Sequence, residues 1–71
     1  MSDPLEKLYE KIFEEAMDYM KEHEIQMVAA TYMAIAMRLY KTSLTDEGFV
    51  SMVRTVMESE IEPYKPKKIL H

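Results

Sequence analysis

The stretch from Ile25 to Tyr40, IQMVAATYMAIAMRLY, constrains this chain more than any other. At about 100° per residue, Met27, Thr31, Ala34 and Arg38 share one narrow stripe, and the rest of the circumference is apolar. Val28, Tyr32, Ile35 and Leu39 form one bulky ridge, and Met33, Met37 and Tyr40 form another. Ala29 and Ala36 make a shallow groove between them. A helix that is apolar almost all round has to be covered almost all round. Two flanking helices in a chain of 71 residues cover only part of such a surface. The pattern therefore predicts self-association, with Ala29, Tyr32, Met33, Ala36, Met37 and Tyr40 as the expected oligomer interface.

The length points the same way. A chain this short forms one domain, 1–71, with a marginal core, and small domains are usually reinforced by disulfides, a metal or a partner chain. The sequence has no Cys, which removes disulfides and thiolate metal sites and fits a reducing, cytoplasmic setting. His23 and His71 are far apart in the chain, so no His-based structural metal is expected. A homodimer is the reinforcement that remains.

The flanking segments read as helices. Asp3-Pro4-Leu5-Glu6 is a start signal: a capping Asp, a Pro suited to the first helical position and an acid at capping-box spacing. Leu5, Leu8, Tyr9, Ile12, Phe13, Ala16, Met17 and Met20 then recur at three- and four-residue steps, predicting a helix over about 4–22. No Gly or Pro interrupts Lys21-Glu22-His23-Glu24, so local propensity permits one long helix. The phase decides otherwise. Unbroken winding would swing the apolar face by roughly 150° between Met20 and Ile25, whereas a turn lets both halves face one core.

The second helix is expected over about 25–41, with Arg38 and Lys41 at the negative end of its dipole. Thr45 caps a third over about 45–62, with Asp46 and Glu47 in its first turn and Leu44 and Phe49 at staple spacing. Phe49, Met52, Val53, Val56, Met57 and Ile61 form its expected buried stripe, and Pro63 ends it. The fold class is all-α: a compact three-helix domain, with 63–71 as an extended basic tail that either stays flexible or docks on a partner.

Few residues carry chemistry. Glu10, Glu14, Asp18 and Glu22 form an i, i+4 row, a possible face for a basic protein partner and equally the solvated side of a soluble helix. Metal binding by this row would need ligands converging from more than one element, and the Glu-x-x-His pair of helical di-metal sites is absent, since Met20 stands three residues before His23. No nucleophile–base–acid set assembles, and the only Gly, Gly48, does not make a phosphate loop. The eight Met read as core and dimer filling, with adaptable recognition as the alternative.

The central apolar run is shorter than the roughly 20 residues a membrane span requires, and Arg38 interrupts it. The second and third helices superficially resemble a helix-turn-helix in spacing. The would-be reading helix begins Thr45-Asp46-Glu47, and a net charge of -4 opposes phosphate contact. The sequence thus leads to a small non-enzymatic helical interaction protein, an adaptor, inhibitor or regulatory subunit, with no cofactor and no metal. A nucleic-acid-associated regulator is the alternative reading, and a small enzyme comes behind it.

Overall fold

The computed structural model describes residues 3–65. Three helices follow one another: α1 (Pro4–Tyr19), α2 (Ile25–Ser43) and α3 (Asp46–Glu58). No strand occurs among the described residues. The all-α three-helix fold is the one the periodicity predicts.

Each boundary has a local cause. Asp3 starts α1: its carboxylate accepts a hydrogen bond from the Leu5 N–H at 3.0 Å, and Pro4 occupies the first turn, where no N–H is needed. The chain leaves the helix after Tyr19, three residues earlier than the spacing suggests. The Tyr19 carbonyl accepts from both Glu22 and His23, and Lys21 N–H donates to the Asp18 carbonyl, which closes a tight turn. Glu24 then adopts extended backbone and starts α2. Two helices rather than one long helix follow from this turn.

α2 continues two residues past Lys41. The Thr42 and Ser43 hydroxyls donate to the Arg38 and Leu39 carbonyls at 2.8 and 2.9 Å, satisfying acceptors that the helix end leaves open. Leu44 is extended, and Thr45 caps α3 by accepting from the Gly48 N–H at 3.0 Å. A methyl group added at Gly48 would meet the Thr45 hydroxyl at 3.2 Å and Leu44 Cβ at 3.5 Å, so the glycine keeps the cap uncrowded. The Lys41 ammonium lies 4.8 Å from the Phe49 ring centre, tying the end of α2 to the start of α3.

α3 stops at Glu58, four residues short of the expected 62. Ser59 turns extended, its hydroxyl donating to the Thr55 carbonyl at 2.7 Å, and Glu62, which precedes Pro63, is biased away from helical backbone. The buried stripe is correspondingly shorter. Phe49, Met52 and Val53 are half-buried, but Val56 is exposed, as are Met57 at 80% and Ile61 at 74%. Beyond α3 the chain returns to α1, where the Tyr64 ring packs 5.0 Å from that of Phe13, which also stacks on Tyr9. Of the basic tail 63–71, residues 66–71 lie outside the described part.

The helices do not close into a tight bundle. Val28, at 8% exposure, is the one buried apolar side chain among the described residues. The radius of gyration is 14.2 Å, against about 11 Å for a tightly packed domain of this length. α2 and α3 pack against each other more than either packs against α1. The expected compact domain is therefore an open one, because three helices this short cannot reach round all of their own apolar surface. Thr45→Ala should lower stability by about 1 kcal/mol, with Thr45→Ser retaining most of it, as read by urea unfolding monitored at 222 nm.

Candidate functional site

A cleft of about 320 Å³ lies between α1 and α2 beside the turn. Glu15 and Tyr19 line it from α1, and His23 stands at the turn. Met27, Val28, Thr31, Tyr32 and Ile35 form the α2 wall. These residues meet because of helical repeat: Glu15 and Tyr19 are one turn apart, as are Val28 and Tyr32, and Thr31 and Ile35.

The polar groups of the cleft are few. The Tyr19 hydroxyl donates to the Glu15 carboxylate at 3.3 Å. The Thr31 hydroxyl is committed to the Met27 carbonyl at 2.8 Å. The Tyr32 hydroxyl is covered by neighbouring atoms yet has no hydrogen-bond partner within the chain. Its pKa is raised above the usual 10.0, first because covering the oxygen disfavours the phenolate, then because Glu15 and Tyr19 add negative charge nearby.

The hydroxyls of Thr42, Ser43, Thr55 and Ser59 donate to carbonyls one turn back, and that of Thr45 caps α3. Among the described residues no three His, Asp or Glu side chains converge in a way that could hold a metal ion. No described helix is long and apolar enough to cross a membrane. What the cleft presents is an apolar surface with a phenol, a carboxylate and an imidazole among its lining groups.

The residues singled out in sequence fall in several places. Of the expected interface, Ala29, Met33 and Ala36 are exposed, whereas Tyr32, Met37 and Tyr40 are half-buried within their own chain. Glu10, Glu14, Asp18 and Glu22 all face water, and Asp18 pairs with Lys21 at 3.4 Å, an exposed contact worth little. The α1 wall of the cleft escaped the sequence reading. Glu15 passes for one more solvated acid, and its only signal is Tyr19 one turn later, with an aromatic body beside apolar neighbours and a hydroxyl in reach of the carboxylate. Compared with protein-family models, curated proteins and solved structures, the chain matches none.

A raised Tyr32 pKa fixes the sign of one pH effect. Below about pH 10 the phenol is neutral in both folded and unfolded chains; above it the unfolded chain ionises first, so stability falls as pH rises through the folded pKa. Wild type should therefore lose melting temperature between pH 9.5 and 11. Tyr32→Phe should lose less over that range and be no less stable at pH 7, because the hydroxyl has no partner to forfeit. Parallel alkaline curves for the two proteins would contradict the assignment.

Proposed function

We propose that this protein is a small non-enzymatic interaction module that works as a homodimer. The observation that carries the reading is the exposed apolar surface. Leu5, Leu8, Ile12, Met33, Ile35, Leu39 and Met57 are all exposed, and only Val28 is buried among the described apolar side chains. At roughly 25 cal/mol per Å² of apolar area, covering these exposed side chains from outside supplies stabilisation that a single buried valine cannot.

The charge distribution supports a protein partner in preference to nucleic acid. Glu10, Glu14, Asp18 and Glu22 form an exposed acidic row on α1, and α3 opens with Asp46 and Glu47. Phosphates would be repelled from both, while a basic protein surface would be steered towards them.

Light scattering on the full chain at micromolar concentration should return a mass near twice 8.4 kDa. Dilution should lower mass and helicity together, since folding and association share one apolar surface. A helical monomer at every concentration would end the homodimer reading.

A further inference from the structure

We propose that the cleft between α1 and α2 is a binding site for a small organic ammonium ion, its charge set against the Glu15 carboxylate and its apolar body against Val28 and Ile35. The proposal is independent of the homodimer reading.

The space suits a compact molecule. The cleft's 320 Å³ lies at the small end of the roughly 300–1,000 Å³ that ligand sites occupy. Met27, Val28 and Ile35 make its α2 side apolar. Val28 is the one buried apolar side chain among the described residues, so that side rests on the best-covered point of the fold. An aliphatic or aromatic body gains by leaving water there.

Charge selects the sign of the ligand. Glu15 is the one acid that lines the cleft, and neither Lys nor Arg lines it. With His23 neutral, the Glu15 carboxylate is the only formal charge on the lining. It accepts a hydrogen bond of 3.3 Å from the Tyr19 hydroxyl. Lys11, one turn before it, makes no ion pair with it, and the one salt bridge among the described residues joins Lys21 to Asp18. The carboxylate is felt across the cleft as well. The Tyr32 phenol is raised above its usual pKa first by the covering of its oxygen and then by Glu15 and Tyr19.

Hydrogen bonding selects the same way. The Thr31 hydroxyl donates to the Met27 carbonyl and the Tyr19 hydroxyl to Glu15, so both protons are spent inside the chain. The Tyr32 oxygen is covered and out of a ligand's reach. An anion entering the cleft therefore meets an opposing charge and no hydroxyl donor. An ammonium ion meets a carboxylate that carries one long hydrogen bond and no cation. Tyr19 and Tyr32 add two aromatic rings to the same lining, and aromatic rings attract ammonium groups, methylated ones included.

The test uses the intact, isotope-labelled chain at about pH 8, where an ordinary imidazole is neutral. Benzyltrimethylammonium is the probe, with benzyl alcohol and benzenesulfonate as neutral and anionic molecules sharing its ring. Titration followed by nuclear magnetic resonance should move the Val28 and Ile35 methyl signals saturably with the cation. The other two should bind at least about fivefold more weakly. Glu15→Gln should weaken the cation about fivefold and leave benzyl alcohol within about twofold. Glu15 is exposed, so this variant should keep the wild-type signal at 222 nm. Glu14→Gln removes the same charge from an exposed α1 position outside the cleft lining, and should change neither constant by more than about twofold. Equal affinity for the cation and for benzyl alcohol overturns the proposal, as does an unchanged constant in Glu15→Gln. Signals that shift only away from Val28 and Ile35, or no saturable shift at all, overturn it too. None of these outcomes alters the light-scattering mass, on which the homodimer reading stands.

Discussion

Apolar surface in excess of what three short helices can cover is the constraint on which this structure depends. A helix buries only the arc that a neighbour reaches, and α1, α2 and α3 each carry a wider arc than that. α2 has apolar residues in most directions, yet only Val28 among its side chains is buried. The turn at residues 20–24 lets α1 and α2 share one end, and an apolar cleft lies between them. Covering the exposed apolar surface from outside the chain is the physical basis of the self-association proposed above.

The boundaries are held by short-range polar chemistry instead of by the core. Asp3 and Thr45 satisfy N-terminal amides, while the Thr42, Ser43 and Ser59 hydroxyls satisfy carbonyls at helix ends. Such contacts are individually worth about 1 kcal/mol and do not need a neighbouring helix. They fix where each helix starts and stops even where little packing supports it. Two aromatic contacts add tertiary restraint: Lys41 over Phe49 at the α2–α3 junction, and Phe13 against Tyr64 where the chain comes back to α1.

The Thr42, Ser43 and Ser59 hydroxyls serve as helix-end hydrogen-bond donors, and the acids Glu10, Glu14 and Asp18 are spread along the outside of α1. The polar groups that line the cleft include Tyr32, Glu15 and His23.

Helix number, helix order and the turn after Met20 were legible in the sequence, because each follows from periodicity and phase within a single segment. The caps at Asp3 and Thr45 were legible for the same reason: a cap bonds to amides two or three residues away. The end of α3 at Glu58 was not, since Ser59 competes for a backbone carbonyl while the apolar pattern runs on to Ile61 without a break. Nor was the α1 wall of the cleft legible. Periodicity identifies an apolar face but does not say which neighbour reaches it, so Phe13 and Met17 looked no different from Leu8 and Ile12. Only the tertiary structure separates them: Tyr64, returning from beyond α3, reaches Phe13, and packing between segments distant in sequence is not contained in a pattern local to each helix.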